Sequence, residues 1–358
     1  MFDFIVVGAA QAGLSMAYHL KKQNRKFLIL DKEDEVGASW LNRWDSLKLF
    51  TPTEFNHLEG FDFPAPKGHY PTKYEVAAYF KAYVNEFQFP LQLQTLVKKI
   101  EKKNDVFYLK TNQGEFFSKN VVIGTGPFHI PYTPAFHKKI SPTINQLHSN
   151  YYKNPNQLNE GNTLVVGGGD SGYQILNEIS SSTANTVYFS GDTSVKTLPQ
   201  EILGKTLWWW FTKFGYLSFS KKSWIGKQIS QGKQPVIGTD VKEILSRKNV
   251  VPVGHCLDAE DETIYTEKKE IIDVSNIIWA TGYRPNFSWI KGLELDKDHY
   301  PVHQQGVSNM KGLYFIGLPW LHTRGSATLG GIKKDAKYLA DYIEENVAVK
   351  EKEKELAW

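Results

Sequence analysis

Two stretches of the chain share one pattern: a short apolar run, a turn rich in small residues, and then an amphipathic helix. The first begins with "FIVV" at residues 4–7, and the second is "TLVVGGGDSGYQI", which begins at Thr163. Runs of β-branched and aromatic residues suit buried parallel strands, so each stretch predicts a strand, a tight turn and a helix. The defining positions of the two turns hold Gly8, Ala10 and Gly13, and Gly167, Gly169 and Gly172.

These turns have the chemistry of a dinucleotide site. Glycines let the backbone approach a pyrophosphate, and the free N–H groups at a helix N-terminus favour an anion. In the first unit a second strand, "KFLIL", ends at Asp31, whose carboxylate would accept hydrogen bonds from a ribose diol. Ala10 replaces the middle glycine and narrows the approach. The chain is therefore predicted to be an α/β protein with two Rossmann-like units, which hold a flavin and the nicotinamide that reduces it.

The end of the next strand in the second unit bears on which nicotinamide is favoured. An arginine near this place commonly pairs with the 2′-phosphate of NADPH. Here Ser190 is followed by Asp192, which would repel that phosphate and could hold the NADH diol. Lys196 is close in sequence and could pair with the phosphate instead. We therefore expect relaxed or NADH-leaning specificity.

Composition excludes several classes of protein. Cys256 is the single cysteine, which rules out an internal disulfide, a Cys-x-x-Cys redox pair and a cysteine-rich metal site, and no metal is expected. The net charge of +4 comes with scattered lysines, so a nucleic-acid partner is not expected. No apolar run approaches the roughly 18 residues of a membrane span, and a strand at the very start argues against a signal peptide. We expect a cytoplasmic protein without membrane contact; a homodimer is left open.

Beyond the two units, the chain resembles the flavin-containing monooxygenases over nearly its whole length. The segments that carry the resemblance are "VGASWLNRWDSLKLF", "GHYPTKYEVAAYF", "VVIGTG", "IIWATGY", "GLYFIG" and "SATLGGIKKDAKYL". It implies a glutathione-reductase-like FAD/NAD(P)-binding fold, with FAD in the first unit and NADPH or NADH in the second. It also implies that O2 and the reduced flavin form a hydroperoxide that oxygenates a small molecule, such as a sulfide, an amine or a ketone. The short chain is similar to small bacterial members that accept both nicotinamides.

Together the turns and the resemblance assign two sets of binding residues, and Val97 is expected to reach the adenine end through its backbone. The FAD set is Gly8, Ala10, Gln11, Gly13, Asp31, Lys32, Trp40, Val97, Thr125, Gly126, Gly317, Thr328 and Leu329. The nicotinamide set is Gly167, Gly169, Ser171, Gly172, Ser190, Asp192, Lys196, Thr281 and Gly282.

The FAD domain is expected to be discontinuous. It takes residues 1–155 and 276–358, and the nicotinamide domain takes residues 156–275. A meander of short strands, with turns at residues 103–104 and 112–114, precedes the crossing. The last helix is expected to start near Ser326, with its N-terminal dipole towards the flavin.

Two side chains are candidates for a catalytic role. Phe50 stands where animal members of the family carry an asparagine beside the flavin, and its ring can exclude water but cannot donate a hydrogen bond. His148 and Tyr152 match the family's linker signature F-x-G-x-x-x-H-x-x-x-(Y or F), whereas Pro142 and Ile144 replace its first two members. Simple packing of Phe50 and a structural role of His148 in the linker stay open as alternatives.

An aromatic stretch, "GKTLWWWFTKFGYLSFSKKSW", covers residues 204–224. We expect a helix and loop packed over the nicotinamide domain, where they would line the substrate entrance. Contact with a membrane surface or with a second subunit is the alternative, because Lys213, Lys221 and Lys222 flank the aromatic residues.

Two other functions stay open on the same motifs. A flavin-dependent NAD(P)H reductase or oxidase shares both turns but does not oxygenate a substrate. A redox sensor would hold both nucleotides without efficient turnover. A flavin disulfide reductase needs a redox-active cysteine pair, which a chain with one cysteine lacks.

Overall fold

The computed structural model describes residues 1–232 and 235–355, with side chains up to residue 346. The first part of the chain forms β1 (Phe2–Val7), α1 (Gln11–Lys22), β2 (Phe27–Leu30), α2 (Ala38–Leu41), α3 (Lys73–Phe87), β3 (Leu91–Gln92), β4 (Val97–Lys103), β5 (Val106–Thr111), β6 (Gly114–Ile123) and β7 (Ile130–Pro131). The meander predicted from the turn residues is the β4–β5–β6 segment.

The middle of the chain forms β8 (Asn145–His148), β9 (Asn162–Val166), α4 (Asp170–Ser182), β10 (Val187–Ser190), β11 (Thr197–Leu198), β12 (Glu201–Ile202), β13 (Lys205–Thr206), α5 (Leu207–Lys213), α6 (Trp224–Gln231), β14 (Val236–Ile237), α7 (Val241–Ser246), β15 (Val250–Pro252), β16 (Cys256–Glu260), β17 (Thr263–Thr266), β18 (Glu270–Ile271) and β19 (Val274–Trp279). The last part forms β20 (Tyr283–Arg284), β21 (His303–Gln304), β22 (Val307–Ser308), β23 (Leu313–Phe315) and α8 (Ile332–Glu355).

These strands form two main sheets. The first has the order β21-β22-β23-β6-β1-β2-β3, and the β4–β5 hairpin extends it beside β6. The second has the order β15-β10-β9-β19-β8, and its pairs are parallel. In each sheet a glycine turn follows an interior strand, β1 or β9. The predicted fold class, an α/β protein with two Rossmann-like units, is confirmed.

The first sheet takes strands from both ends of the chain, because β23 pairs in parallel with β6. The crossings between the sheets differ from the expected limits at residues 155 and 276. Both β8 and β19 belong to the second sheet, where they pair with each other. The short antiparallel pair of β7 and β20 joins the two chain segments that cross between the sheets. A strand pattern in sequence does not reveal which sheet the strand joins, and this is why the limits differ.

The final helix begins later than expected, at Ile332 rather than near Ser326. The Ser326 hydroxyl accepts hydrogen bonds from the N–H groups of His322 and Thr323, at 3.1 and 2.9 Å, which makes a turn there. Gly330 lies so close to Phe55 that a Cβ would be 1.8 Å from the Phe55 carbonyl oxygen. Residues 326–331 are therefore held in turns against residues 55–56, and the helix starts after them.

A loop of the first unit, residues 42–50, enters the second unit. Its Trp44 is buried and packs with Tyr152 and Tyr173 in the core beneath the second sheet. The Asp45 N–H donates to the Lys153 carbonyl at 2.7 Å. The core of the second unit thus includes a side chain from the first unit, which fixes the two units against each other.

Lys73, the first residue of α3, holds this loop in place. It is 2% exposed, and its ammonium donates to the carbonyls of Leu41 and Arg43 at 3.0 and 2.7 Å and to the Asp45 carboxylate at 2.7 Å. The Lys73 ammonium holds the pKa of Asp45 below its ordinary value. One buried cation therefore joins α3 to the backbone of the loop.

The two glycine turns bring backbone against backbone. A Cβ on Gly13 would lie 1.8 Å from the Gly8 carbonyl oxygen, and one on Gly172 would lie 1.9 Å from the Gly167 carbonyl oxygen. Real Cβ atoms do not approach so closely, so these positions require glycine for the helix to sit on its strand. Gly169 differs, because its added Cβ would meet no atom within 4 Å.

The substitution Gly172→Ala is expected to lower the free energy of unfolding by about 2–3 kcal/mol, because the new methyl group must displace backbone. Gly169→Ala is the matched control; its backbone is extended and its surroundings are open. It should change stability by less than about 0.5 kcal/mol. Urea denaturation of both variants measures the difference, and equal losses would contradict the packing described for the second turn.

The substitution Lys73→Met is expected to cost about 2–3 kcal/mol of stability. It keeps the apolar stem but takes the ammonium from the part-buried Arg43 carbonyl and from the Asp45 carboxylate, and it leaves the Leu41 carbonyl with the Lys153 ammonium at 3.5 Å. Tyr74→Phe serves as the control. Tyr74 also donates to the Asp45 carboxylate, at 3.2 Å, but its side chain is exposed. Its loss should cost no more than about 0.5 kcal/mol. Denaturation curves in which the two variants lose equal stability would refute the role given to Lys73.

Candidate functional site

A cavity of about 460 Å³ opens at the carboxyl ends of β1 and β2. Its walls are the first glycine turn, the start of α2, residues 95–98, and the segment after β6. This volume is in the range of small-molecule and cofactor sites. Six residues of the predicted FAD set line it: Gly8, Ala10, Asp31, Lys32, Val97 and Thr125.

Asp31 faces the cavity and also accepts hydrogen bonds from the backbone of the first turn and of its own loop. One of its carboxylate oxygens accepts from the Ala9 N–H at 2.5 Å, and the other accepts from the Glu33 N–H at 2.9 Å. A carboxylate oxygen has two lone-pair sites, so each can take a second donor such as a ribose hydroxyl. The same carboxylate can therefore hold both the turn and a ribose.

Helix N-termini at the predicted cofactor sites lack a capping side chain. The helices α1, α2 and α4 begin after Ala10, Gly37 and Gly169, and none of these residues supplies a side-chain cap. Other helices are capped by side chains: α3 by Thr72, α5 by Thr206, α6 by Ser223 and α7 by Asp240. An uncapped N-terminus presents free N–H groups and a positive dipole end, which is what a pyrophosphate binds. The residues present therefore fit two dinucleotides.

Some predicted FAD residues lie behind the cavity wall. Gln11 accepts a hydrogen bond from the Trp40 indole at 3.4 Å, which ties α2 to α1. Gly317 lies against Ala12 of α1. The Thr328 hydroxyl donates to the Gly325 carbonyl at 2.7 Å. Gly13 packs under the turn, Leu329 is buried in the core beside α8, and Gly126 faces open space. None of these residues is in the cavity wall, and their contacts support the elements around it.

Sequence reasoning missed a group of aromatic and polar residues in the cavity wall: Phe128, His129, Asn286 and Trp289. The His129 Nδ1 accepts from the Asn286 N–H at 2.9 Å, and its Nε2 lies 3.1 Å from the Thr125 hydroxyl. Burial lowers the pKa of His129, so the neutral ring is favoured. Phe128 and His129 follow closely after "VVIGTG" in the sequence, and this position could have predicted that they line the cavity.

The end of β10 and the loop after it hold three residues of the predicted nicotinamide set, Ser190, Asp192 and Lys196. The Ser190 hydroxyl is buried and accepts from the Cys256 N–H at 2.9 Å, so it serves the fold. The Asp192 carboxylate accepts from the N–H and hydroxyl of Ser194, at 2.9 and 2.6 Å. Lys196 is exposed.

At the start of α4, Ser171 is half-buried and follows Asp170. Burial raises the pKa of the Asp170 carboxyl, and the nearby charge of Arg324 opposes this. Arg324 belongs to the segment before α8, so residues of both units meet at the second glycine turn.

His148 has hydrogen-bond partners within the fold on both ring nitrogens. Its Nε2 donates to the Gly282 carbonyl at 3.0 Å, and its Nδ1 accepts from the Asn150 N–H at 3.0 Å. Burial lowers the pKa of His148, which keeps the ring neutral and able to accept that bond. The hydroxyl of Thr281, which adjoins Gly282, bonds to the Tyr132 carbonyl. These contacts favour the structural alternative for His148, a residue that fixes the crossing between the sheets.

Phe50 lies where the two units meet. Its ring stacks on Trp208 of α5, with ring centroids 5.8 Å apart, and its carbonyl accepts from the Trp208 indole N–H at 2.8 Å. Close by in the chain, Arg43 donates to the Tyr283 hydroxyl at 2.5 Å and lies over the rings of Phe128 and Tyr283. The segment after α2 therefore contacts the second unit through an apolar stack at Phe50 and the crossing segment through a positioned cation at Arg43.

Cys256 is not placed to act as a redox thiol. It lies on β16 and is absent from the cavity wall. Burial raises the pKa of its thiol, and a hydrogen bond with Ser190 only partly opposes this. The reactive form is the thiolate, so this environment suppresses its chemistry.

Among the side chains of residues 1–232 and 235–346, no cluster of three or more histidine, cysteine, aspartate or glutamate residues is suited to a metal ion. Every helix within residues 1–232 and 235–355 is too short or too polar to pass through a bilayer.

Similar proteins include an oxidoreductase named CzcO from Bacillus subtilis (strain 168). It is 44% identical over 341 residues, which cover 95% of this chain and 98% of that protein. The probable indole-3-pyruvate monooxygenase YUCCA7 of Arabidopsis thaliana is 27% identical and covers 87% of this chain and 82% of its own length. Among solved structures, a flavin-containing monooxygenase from Stenotrophomonas maltophilia superposes with a TM-score of 0.79 at 24% identity, covering 97% of this chain and 99% of that one.

A family of oxidoreductases matches the chain over residues 5–202, which include both glycine turns. The match and the similar proteins confirm the resemblance to the flavin-containing monooxygenases. They also confirm the prediction of an enzyme that is a flavoprotein oxidoreductase with FAD and a nicotinamide nucleotide as cofactors. The chain belongs to the pyridine nucleotide-disulphide oxidoreductase family.

Proposed function

We propose that the protein is an FAD-dependent monooxygenase that uses NADPH or NADH and O2 to oxygenate a soft nucleophile, such as a sulfide or an amine. The observation that carries this is the pair of uncapped helices, α1 and α4, each placed by a glycine turn at the carboxyl end of an interior strand. Likeness to a flavin-containing monooxygenase and to YUCCA7 supports oxygenation over other flavin chemistry.

The first site would hold FAD along the cavity wall. The N–H groups at the start of α1 would bind its pyrophosphate, the Asp31 carboxylate its ribose, and the backbone at Val97 its adenine end. A flavin bound there would supply the redox chemistry, with the nicotinamide nucleotide as electron donor and O2 as the source of the transferred oxygen. The second site, at the start of α4, would hold the nicotinamide nucleotide.

The chain's own work is to orient the reactants and exclude water. Phe50 and Trp208 present stacked rings at the junction of the units, and neither ring adds a charge there. An apolar wall of this kind keeps solvent from the reacting atoms and strengthens the electrostatic interactions that remain. Arg43, held by Tyr283, places a fixed cation in the crevice where the phosphate groups of a nucleotide could be neutralised. Orientation by such contacts is a large part of catalysis when the cofactor carries the reaction.

The test of this proposal is coupled turnover of the purified flavoprotein with O2, NADH or NADPH, and a small sulfide. The expected result is one sulfoxide formed for each nicotinamide oxidised. Quantitative release of hydrogen peroxide with no sulfoxide would instead establish a reductase or oxidase. Protein that binds both nucleotides without efficient turnover would favour the sensor, and protein that neither contains FAD nor can be loaded with it would contradict the proposal.

We predict that Asp192 lowers the preference for NADPH over NADH and that Lys196 raises it. The wild-type protein should favour NADPH over NADH by less than about a hundredfold in kcat/KM. Asp192→Asn removes the like charge and should move the ratio towards NADPH by about tenfold. Lys196→Gln, the matched variant, should move it the other way. Steady-state kinetics with both nucleotides decide, and a ratio that neither variant changes would show that these residues do not read the 2′-phosphate.

A further inference from the structure

We propose that the hairpin of β12 and β13, together with the outer face of α5, docks the protein on an anionic lipid surface. The aromatic surface, as we name it, consists of Ile202, Leu203, Trp209, Trp210 and Phe214. Contact with a membrane was the alternative left open for this stretch. Four observations favour it over simple packing.

First, α5 is apolar on both sides. On its inner side, Leu207 and Trp208 are 3% exposed and pack with Phe50 and Ile237. On its outer side, Phe214 is 71% exposed and Trp209 is 38% exposed. A surface helix of a globular protein normally carries polar residues on its outer face. Large aromatic residues there mark a site for contact with something outside the fold.

Second, the aromatic surface is continuous. The Trp210 indole donates to the Ile202 carbonyl at 3.0 Å, which joins the helix to the hairpin. Trp210 stacks on Phe214 with centroids 5.8 Å apart, and Trp209 meets Trp210 edge-on at 4.7 Å. The hairpin and the helix therefore present one continuous apolar patch rather than scattered side chains.

Third, the tip of the hairpin holds an exposed leucine in an unfavourable backbone conformation. Leu203 has a φ of +50° and Gly204 a φ of +68°, as in a two-residue turn that normally takes Asn-Gly. A leucine is unfavourable in this left-handed region. Its side chain is 89% exposed, so it gains almost no burial in return. Leu203 therefore adds almost nothing to the stability of the fold. Its side chain would be buried if it entered an apolar phase outside the protein.

Fourth, the charge around the patch matches an anionic surface. Residues 200–232 contain five lysines and one acid, Glu201. Lys205 and Lys213 lie beside the aromatic surface, whereas Lys221 and Lys222 lie near His303 and His322. The Lys205 ammonium lies over the Trp209 ring at 5.9 Å, and Lys213 ends α5. Lysine and tryptophan together are typical of protein surfaces that lie at a lipid headgroup layer. A second copy of the chain would bring the same positive charge, which argues against a dimer through this patch.

Docking at this place would bring the crevice close to the bilayer. Trp208, on the inner side of α5, stacks on Phe50, so one helix separates the aromatic surface from the crevice. A helix with its side chains is about 10 Å across. The crevice would therefore open next to the lipid phase, in which apolar small molecules concentrate.

The test is sedimentation of the flavin-loaded protein with phosphatidylcholine vesicles, with and without phosphatidylglycerol. Binding is expected with phosphatidylglycerol, and it should weaken as salt is added because the lysine contribution is screened. Leu203→Asn is expected to weaken binding by about tenfold. The same substitution should leave the protein as stable as the wild type or more stable, because asparagine suits this turn. A loss of binding therefore cannot be attributed to misfolding.

Ile272→Asn provides the matched control, because Ile272 is 71% exposed elsewhere in the described structure and should not affect vesicle binding. Absence of binding at low salt, or equal binding by the wild type and Leu203→Asn, would overturn the proposal. So would a dimer, measured by light scattering, that Leu203→Asn converts to a monomer without any vesicle binding, because the patch would then serve a second copy.

Discussion

The structure depends on the close approach of backbone to backbone at two turns. Gly13 lies against the Gly8 carbonyl, and Gly172 lies against the Gly167 carbonyl, at distances that leave no room for a side chain. This approach seats α1 and α4 on their strands, with N-termini at the carboxyl edges of the two sheets. Neither helix is capped by a side chain, so both present free N–H groups where a pyrophosphate would lie. Both proposed cofactor sites follow from this constraint.

A second requirement is that the two sites keep a fixed relation to each other. Trp44 of the first unit is part of the core under the second sheet. Lys73 binds the backbone carbonyls of Leu41 and Arg43 before it and the carboxylate of Asp45 after it. His148 adds hydrogen bonds at the crossing between the sheets. Lys73 and His148 have partners for their buried polar atoms, and such groups resist rearrangement because an unpaired polar group in the interior is costly. Trp44 is held by packing in the core of the second unit. The two units are therefore joined by buried contacts.

Local patterns predicted the local features. The turns, the strand ending before Asp31, and the β4–β5–β6 meander each follow from the periodicity and turn chemistry of a few adjacent residues. The remaining features depend on residues distant in sequence. The inward hydroxyl of Ser190 is set by Cys256, the cavity wall at Phe128 is set by the return segment, and the late start of α8 is set by contacts with residues 55–56. The pattern of α5 showed that it is aromatic but not that one of its faces is exposed.

The central claim is that one crevice lets a nicotinamide at the second turn reduce a flavin at the first. Its most direct test is rapid mixing of the FAD-loaded protein with NADH, and separately with NADPH, in the absence of oxygen, while the visible absorbance of the flavin is followed. The account predicts that the flavin band is bleached by at least one nucleotide. It would be contradicted by a band that dithionite bleaches but that neither nucleotide changes.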